Sequence, residues 1–391
     1  MLNMKKNKLM QTSFDTGEIS VPYYYGYDCL DSFVHLINGY DPDRLLLVID
    51  RAVNDLNPNL IGSLSKIWPV SSVILQPDEK VKNIATLSKI AEDGIKAGIS
   101  RKSIVIAIGG GVIGNIAGMV AGLLYRGISL IHFPTTLMSA SDSVLSLKQA
   151  INSTKGKNHL GIFYTPKAIC LDISFLQTLP KIQMRCGLCE IVKNCLAISP
   201  ENISWFKDIA NPNLNFSEQE LIDLVSMAIE DKSKVTFDDP YERGRGIVLE
   251  YGHTVGHAIE TLFTQENRDI KRFITHGEAI GLGMLYAAHI SADLGYLSPE
   301  EVDMHYELLT AIGAQTLIDL DFNVLKSYIN FDNKRGYLSF GKGQIAMVLL
   351  ERLGKPLNTG QYPLRLVDID YLVRANKKLS KLNESKSMVG V

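Results

Sequence analysis

The sequence predicts an α/β protein of two domains, with a parallel sheet in an N-terminal domain (residues 1–180) and mainly helices in a C-terminal domain (residues 181–375). Three observations lead to this fold class. Short apolar runs alternate with helical patterns in the first part, which is typical of βαβ units. Beyond Pro180 the apolar residues follow the helical period. A chain of 391 residues, 46% of them apolar, can form two cores. The polar, basic residues 376–391 are predicted to be a disordered tail.

The N-terminal domain begins with two predicted strands and a helix. The strands are LLLVID (45–50) and VSSVILQ (70–76), and the helix covers residues 83–97. Asp50 ends the first of these strands, where dinucleotide-binding folds place an acid that binds ribose. An aspartate before a helix is also a common N-cap, so the sequence leaves both roles open.

The segment 109–136, GGGVIGNIAGMVAGLLYRGISLIHFPTT, follows an apolar run and is predicted to form a glycine turn, a helix and a strand. Glycines let backbone N–H groups approach a pyrophosphate closely, and the helix N-terminus adds partial positive charge. The spacing GGGxxG differs from GxGxxG, so a purely structural turn is the alternative. The uncharged residues 103–125 are also long enough for a membrane span, but three central glycines disfavour a continuous helix.

A polar segment follows this unit. It is predicted to be a loop that offers both charge signs and several donors to a polyhydroxylated anion, with a solvated surface loop as the alternative. Its polar residues are Asp142, Ser143, Lys148, Asn152, Lys157 and Asn158.

Composition limits the remaining possibilities. A net charge of −2 gives no electrostatic basis for binding nucleic acid or an anionic membrane. Five cysteines, an odd number, indicate reduced thiols and a cytoplasmic protein. Cys186 and Cys189 form a CxxC without a second pair, so core packing is the interpretation. No apolar stretch follows the N-terminal lysines, so no signal peptide is expected.

The C-terminal half contains the residues with the clearest chemistry. His253 and His257 are four residues apart and therefore share a helix face, and His276 opens another helical pattern. Glu190 interrupts an apolar helix, where an unpaired carboxylate is costly. Imidazoles and a carboxylate together suit a divalent metal, with zinc or cobalt expected. The first histidine lacks the adjacent glutamate of HExxH, which disfavours peptide hydrolysis. The other histidines are interpreted as structural: His35, His132, His159, His289 and His305.

Eight blocks in order resemble the sugar phosphate cyclases of the 3-dehydroquinate synthase superfamily. They are GGGVIGN, YRG, PTT, DS…LK, GKN, LCEIVKN, EYGHTVGHAIE and HGEA. The resemblance covers nearly the whole chain, from residue 45 to about residue 334. It implies a Rossmann-like NAD domain, a helical metal domain, a sugar phosphate substrate and a homodimer.

The resemblance also implies roles for individual residues. The implied metal ligands are Glu190, His253 and His276. The implied NAD contacts are Asp50, Glu79 and Lys82 on the adenosine side, Gly109, Gly110, Gly111 and Asn115 at the pyrophosphate, and Thr135, Thr136, Lys148, Lys157, Asn158, Thr178 and Leu179 on the nicotinamide side. The implied substrate contacts are Asp142, Lys148, Asn158, Lys193, Lys232 and His257, with Arg126 reaching the phosphate across the dimer. The candidate catalytic residues are Lys148, Glu250, His257 and Asp142.

Departures from the family pattern indicate the substrate. Gly246 stands where the resemblance implies an arginine that grips a substrate carboxylate, and Glu250 replaces an asparagine. Desolvating a carboxylate without a bidentate cation is expensive, so a substrate without one is expected. These blocks resemble the superfamily members that cyclise D-glucose 6-phosphate in aminoglycoside biosynthesis. That resemblance implies transient oxidation at C4 by NAD, phosphate elimination, re-reduction, ring opening and aldol closure.

Three alternatives stay open at this point. A dehydroquinate synthase would need the neighbouring Arg245 to take over the carboxylate. A metal-dependent polyol dehydrogenase would release NADH, and the basic residues predicted to bind phosphate disfavour it. A non-catalytic binding protein is disfavoured because the glycines and all predicted metal ligands are present. Extra residues near 264–272 are expected to form a lid or a dimer contact.

Overall fold

The computed structural model describes residues 9–17, 19–154, 156–265, 274–329, 338, 341, 343–358, 360 and 362–388. Most of the segment predicted as a lid or dimer contact, residues 266–272, lies outside these ranges. The described residues form two compact units. The first contains residues up to Leu179 together with Ser217–Ser233, and the second contains Pro180–Phe216 and the chain from Lys234.

The regular elements are numbered in chain order. The strands are β1 (Met10–Thr16), β2 (Ile19–Gly26), β3 (Leu45–Asp50), β4 (Val70–Leu75), β5 (Ile104–Gly109), β6 (Ser129–Pro134), β7 (Lys148–Ser153), β8 (Gly156–Phe163), β9 (Ala168–Asp172), β10 (Gln344–Met347), β11 (Leu350–Arg352), β12 (Lys355–Pro356) and β13 (Arg365–Asp368). The α-helices are α1 (Leu30–Gly39), α2 (Arg51–Leu56), α3 (Leu60–Ser65), α4 (Ile84–Lys96), α5 (Gly111–Leu123), α6 (Ser174–Gln177), α7 (Lys181–Ala197), α8 (Ile203–Ile209), α9 (Glu218–Thr236), α10 (His253–Gln265), α11 (His276–Asp293), α12 (Pro299–Ala311), α13 (Phe322–Ile329) and α14 (Ile369–Met388). Shorter helical turns span Glu79–Val81, Leu124–Arg126, Ser139–Ser143, Pro200–Asn202 and Arg245–Glu250.

A seven-stranded sheet in the order β1-β2-β9-β6-β5-β3-β4 is the centre of the first unit. The β1–β2 pair is antiparallel and the other pairings are parallel. β3 and β5 are buried along their whole length, because helices cover both faces of the sheet. The predicted strands, the helix after them and the α/β fold class are therefore confirmed.

Two apolar cores cover the two faces of this sheet. One contains Phe33 of α1 and Leu64 of α3, and the other contains Leu87 of α4 and Ile113 of α5. α5 follows the three glycines directly, so residues 103–125 are a strand and a helix rather than one apolar helix. No helix in the described ranges is long and apolar enough to cross a membrane.

The polar segment predicted as a loop is largely ordered as a β-hairpin. β7 and β8 pair in an antiparallel register from Lys148 opposite Phe163 to Ser153 opposite Gly156. The prediction of a loop was wrong because Gln149 and Ile151 are buried and alternate with the less buried Lys148, Ala150 and Asn152. The many polar residues of this segment hid the two-residue period of burial that is typical of a strand.

The second unit is built around α11, which packs against α7, α10, α12 and α14. Nearly every residue of α11 is buried. Two short antiparallel pairs, β10–β13 and β11–β12, complete this unit. All five cysteines are buried and form no disulfide, and Cys186 and Cys189 lie on α7, as expected for packing residues.

Two boundaries differ from the prediction. Residues Ser217–Ser233 of α9 belong with the first unit, although the sequence predicted one domain over 181–375. Periodicity identifies an amphipathic helix but not its packing partner. The tail predicted to be disordered from residue 376 is instead helical to Met388. Its beginning is anchored because Ala375 and Leu379 are buried on one face of α14.

Candidate active site

Three polar side chains of the second unit converge where α7, α10 and α11 meet. Glu190 lies in the middle of α7, while His253 and His276 are the first residues of α10 and α11. One ligand atom of each residue lies within 4.8 Å of the others. The Glu190 Oε1 is 3.5 Å from His276 Nε2 and 3.8 Å from His253 Nε2. The predicted ligand set is therefore brought together.

Hydrogen bonds orient both imidazoles toward the carboxylate. His253 Nδ1 lies 3.1 Å from the carbonyl oxygen of Tyr251, and His276 Nδ1 lies 3.1 Å from Glu260 Oε2. Each acceptor holds a proton on Nδ1, so the Nε2 atoms face Glu190, and an Nε2 that carries no proton offers its lone pair to a cation. This is the arrangement that a divalent cation requires.

The Glu190 carboxylate is buried and charged. Neither oxygen has a hydrogen-bond partner of good geometry among the described residues, but Lys193 Nζ lies 2.5 Å from Oε2. Burial alone would raise the pKa of Glu190, but the positive charge of Lys193 and the two imidazoles outweigh burial and hold it well below its usual range. A buried, ionised carboxylate that faces two imidazole nitrogens suits a metal ion.

The two predicted imidazole ligands differ in their protonation. Burial lowers the pKa of His253, and Glu190 opposes this shift only in part. Burial would lower the pKa of His276 as well, but Glu260 and Glu190 together raise it well above the usual value. A proton on His276 therefore competes with a cation for the same nitrogen.

Glu260 is a functional residue that the sequence analysis missed. It is buried on α10, and its carboxylate contacts Nδ1 of the predicted ligand His276. Its spacing, seven residues after His253 and three after His257, places it on the same helix face. That spacing was the available signal, but helix periodicity alone does not distinguish such a carboxylate from a surface acid.

His257 lies against the same cluster. Its ring centroid is 5.1 Å from that of His253 and 5.9 Å from that of His276. Glu250 ends the helical turn Arg245–Glu250, and its charge raises the pKa of the buried His253, partly offsetting burial. These two candidate proton carriers are therefore near the predicted ligands.

In the first unit, the glycine turn lies at the carboxyl end of β5. A Cβ on Gly109 would lie 2.7 Å from Ile113 Cγ1 and 3.1 Å from Asp50 Cβ, so no side chain fits there. Gly110 is the residue before α5 and has no side chain to cap it. The backbone N–H groups at this helix start therefore remain accessible to an anion.

Asp50 and Asn115 both have structural hydrogen bonds. Asp50 Oδ1 accepts a hydrogen bond from Ala52 N at 2.8 Å, which is the N-cap that the sequence left open. Asn115 donates to the Gly111 carbonyl at 2.9 Å and accepts from Ala150 N at 2.8 Å. Asn115 thus ties α5 to the hairpin, and its amide oxygen and one N–H are engaged there.

Four predicted NAD contacts form one cluster beside the hairpin. Lys82 donates to Asn158 Oδ1 at 2.5 Å, and Lys157 lies 3.9 Å from Glu79. Asn152 donates to Glu79 Oε2 at 2.7 Å and joins both pairs. The resemblance assigns these residues to opposite ends of NAD, whereas here they contact each other directly.

Other predicted cofactor residues occupy the neighbouring strand ends. Thr135 is buried after β6, and Thr136 Oγ1 accepts from Ser139 N at 3.1 Å. Lys148 is exposed at the start of β7. Thr178 caps the end of α6, and Leu179 follows it.

Asp142 and Lys232 form a second predicted pair. Lys232 on α9 is nearly buried and donates to both Asp142 Oδ1 and the Asp142 carbonyl, each at 2.8 Å. The structure thus brings these two predicted substrate residues together across ninety positions of sequence. No local pattern in the sequence indicates this pairing.

Arg126 ends the short helical turn Leu124–Arg126 that follows α5. It is exposed, and within the described part of the chain its guanidinium forms no ion pair. Tyr125 and Arg126 both have positive φ, 52° and 68°, followed by Gly127 at 119°. Consecutive left-handed residues with side chains have strained backbones, so the exposed position of Arg126 costs conformational free energy.

Position 246 lies in a carboxylate-rich environment. The Asp239 carboxylate accepts hydrogen bonds from the backbone N–H groups of Arg243, Gly244 and Gly246, at 2.7 to 2.9 Å. A Cβ on Gly246 would lie 3.0 Å from Asp239 Oδ2 and 3.1 Å from Glu242 Cγ. Arg245 is exposed while Gly246 is buried. A longer residue at 246 would therefore require the Asp239 and Glu242 side chains to move by a few tenths of an ångström.

Comparisons with known proteins agree with this geometry. Family models described as 3-dehydroquinate synthase N-terminal and C-terminal match residues 72–186 and 187–335. A 2-deoxy-scyllo-inosose synthase from Micromonospora echinospora is 42% identical over 351 residues, 89% of this chain and 87% of the relative.

Solved structures show the same fold. A 2-deoxy-scyllo-inosose synthase complexed with carbaglucose-6-phosphate, NAD⁺ and Co²⁺ aligns with a TM-score of 0.87 and 35% identity over 94% of this chain and all of that one. A 2-epi-5-epi-valiolone synthase from Streptomyces hygroscopicus subsp. jinggangensis, with NAD⁺ and Zn²⁺ bound, has a TM-score of 0.78 at 19% identity, covering 93% of this chain and 97% of that one, which supports the fold alone. The chain belongs to the 3-dehydroquinate synthase family of sugar phosphate cyclases, in the group that includes the 2-deoxy-scyllo-inosose synthases.

Proposed function

We propose that this enzyme converts D-glucose 6-phosphate to 2-deoxy-scyllo-inosose and phosphate, a step of aminoglycoside (2-deoxystreptamine) biosynthesis. One observation supports this substrate most directly. Gly246 replaces the arginine expected for a substrate carboxylate, and the Asp239 carboxylate lies 3.0 Å from where a Cβ at this position would be. A negatively charged substrate group would be repelled there, whereas a neutral sugar hydroxyl would not.

The proposed cofactors are NAD and a divalent metal, zinc or cobalt. The glycine turn at 109–111, which has no room for a Cβ at Gly109, suits a dinucleotide pyrophosphate. Glu190, His253 and His276 supply a carboxylate and two Nε2 atoms, which suits either metal. When bound, NAD supplies reversible hydride acceptance at C4 of the sugar, and the metal supplies a Lewis acid for the C4 oxygen.

The protein would contact NAD through residues of the first unit. Asp50 and Asn115 flank the glycine turn, and Asn115 donates to the carbonyl of Gly111 in that turn. The proposed contacts along the cofactor are Asp50, Glu79, Lys82, Gly109, Gly110, Gly111, Asn115, Thr135, Thr136, Lys148, Lys157, Asn158, Thr178 and Leu179.

The substrate is proposed to bind through charged and polar side chains. The Lys232–Asp142 pair offers one donor group and one acceptor group to sugar hydroxyls. Lys193, Asn158 and the partner-facing Arg126 are proposed to hold the phosphate, since a dianion needs several cationic or N–H donors. Elimination removes the C5 proton, and the phosphate oxygens themselves are suitable bases.

Four groups are proposed to carry protons at later steps: Lys148, Glu250, His257 and Asp142. His257 lies beside both ligand imidazoles, and the charge of Glu250 acts on His253. A carboxylate and an imidazole near the reacting carbon can move protons during ring opening and aldol closure. NAD is regenerated, so the reaction needs no external oxidant.

We further propose a cytoplasmic homodimer with no nucleic acid or membrane partner. The outward-facing Arg126 on its strained turn supports a role in a second copy of the chain. The near-zero net charge supports the absence of a polyanionic partner.

The test is phosphate release with NAD⁺ and Co²⁺ or Zn²⁺, comparing glucose 6-phosphate with the seven-carbon carboxylated substrate of dehydroquinate synthase. Release from glucose 6-phosphate alone, without net NADH, is expected. Release only from the carboxylated sugar would mean that Arg245 binds the carboxylate and the proposal is wrong. Net NADH would instead indicate a polyol dehydrogenase. Glu190→Gln should abolish release, whereas Glu201→Gln, on an exposed ion pair with Lys234, should not.

A further inference from the structure

Tyr251 connects the predicted metal ligand His253 to the interior of the second unit. The Tyr251 ring is fully buried, and its backbone carbonyl accepts the Nδ1–H of His253 at 3.1 Å. The direction of that carbonyl therefore sets the orientation of the imidazole. Any residue that fixes the Tyr251 backbone acts on the direction of His253 Nε2.

The Tyr251 hydroxyl is held by His305, which the sequence suggested was merely structural. The Tyr251 hydroxyl oxygen is 2.8 Å from His305 Nε2. His305 Nδ1 lies 2.7 Å from the Glu301 carbonyl oxygen, which can only accept, so Nδ1 carries the proton. Burial lowers the pKa of His305 to about 4, so the ring is neutral and its Nε2 accepts from the tyrosine.

His305 is itself held in a fixed position. It lies on α12, whose start has a capping box formed by Ser298 and Glu301 and a proline at the first turn. Glu301 Oε1 also accepts from Leu353 N at 3.0 Å. The tyrosine hydroxyl is thus anchored to a helix that has its own defined start and a second tether.

We infer that His305 and Tyr251 are positioning residues for the metal ligand His253, acting through the Tyr251 carbonyl. The inference rests on the proposed function, because it requires that Glu190, His253 and His276 bind a metal. Neither residue is proposed to touch substrate or cofactor. Their effect is on the angle at which one imidazole meets the metal.

The experiment measures Co²⁺ binding to the purified protein in the absence of substrate, by chelator competition and by the visible absorption of bound Co²⁺. Tyr251→Phe removes only the hydroxyl. We expect Co²⁺ affinity to fall about threefold to tenfold, less than the 10- to 100-fold for a direct partner of a ligand, with an altered absorption spectrum. His305→Phe should give the same loss, and the double variant no more than either alone.

Tyr286→Phe is the matched control. Tyr286 is a fully buried tyrosine of the same unit, and its hydroxyl donates to Asn376 Oδ1 at 2.5 Å. It should lose similar thermal stability while keeping the wild-type Co²⁺ affinity and spectrum. The inference fails if Tyr251→Phe matches wild type in both readouts, or if the control loses affinity equally. If the wild-type protein binds no Co²⁺, the proposed metal site itself is wrong. The phosphate-release assay tests the proposed function separately from this inference.

Discussion

Gly252 joins the anchored Tyr251 to His253, and replacing it by alanine is a stringent test of how the metal site is held. Gly252 has φ 80°, a left-handed conformation that costs a residue with a Cβ about 1–2 kcal/mol. A Cβ there would also lie 2.7 Å from Met284 Cγ, 2.8 Å from the Ile280 carbonyl oxygen and 2.9 Å from Met284 N. The methionine side chain can move, but the two backbone atoms of α11 cannot.

Gly295 provides a control with the same conformation and no steric conflict. Its φ is 81°, and no atom lies within 4 Å of the position that a Cβ would occupy. Gly295→Ala should therefore cost only the conformational strain, about 1–2 kcal/mol. Gly252→Ala adds overpacking of about 1–3 kcal/mol, for a total of about 2–5 kcal/mol.

Urea unfolding monitored by circular dichroism measures both losses, and Co²⁺ titration measures the effect on the site. Gly252→Ala should lose more stability than Gly295→Ala and should also bind Co²⁺ more weakly, since its backbone must shift next to His253. Equal losses of stability, with unchanged Co²⁺ affinity in both, would refute the argument that the close approach of α10 and α11 fixes this ligand.

Three further predictions concern single side chains. Glu260→Gln should weaken Co²⁺ binding about 10- to 100-fold by removing the charge that orients His276, and an unchanged chelator competition curve would contradict this. Lys232→Met should lower kcat/KM for glucose 6-phosphate about 10- to 100-fold, because it removes the ion pair with Asp142. Lys234→Met removes only an exposed ion pair with Glu201 and should leave kcat/KM nearly unchanged. Equal losses of kcat/KM in the two variants would contradict a substrate-binding role for the Lys232–Asp142 pair. Burial lowers the pKa of His132 from 6.5 to about 4, so the unfolded chain gains a proton that the native state resists and stability falls as pH drops from 6.5 to 4. When the pH is lowered from 7 to 5, the unfolding free energy of His132→Leu should fall by about 2 kcal/mol less than that of wild type. An identical pH dependence in the two proteins would show that His132 is not a buried neutral histidine with a lowered pKa.

Local sequence patterns predicted the elements that are formed by residues close together in the sequence. The β3 and β5 runs, the glycine turn and α5 follow from apolar runs and glycine placement. The HxxxH spacing placed His253 and His257 on one face because helix geometry alone determines it. The association of Glu190 with His276 came from the family resemblance, since the two residues are distant in sequence.

Contacts between distant segments were outside the reach of these patterns. The Lys232–Asp142 pair and the His305–Tyr251 pair each join elements whose packing no local period encodes. The β7–β8 hairpin was mistaken for a loop because its sequence combines many polar residues with glycines and buries few apolar side chains. The part of α14 from residue 376 onward was missed because its few apolar residues are separated by lysines, whose stems can cover a packed face.

The most direct test of the account is the fate of carbon in the product. Incubating the enzyme with D-[1,6-¹³C₂]glucose 6-phosphate, NAD⁺ and Co²⁺ and recording the ¹³C spectrum shows whether the first and last carbons of the sugar become bonded. The account predicts a one-bond ¹³C–¹³C coupling between them, with one phosphate released per product and no accumulation of NADH. Phosphate release without that coupling, or stoichiometric NADH with the phosphate retained, would contradict carbocycle formation.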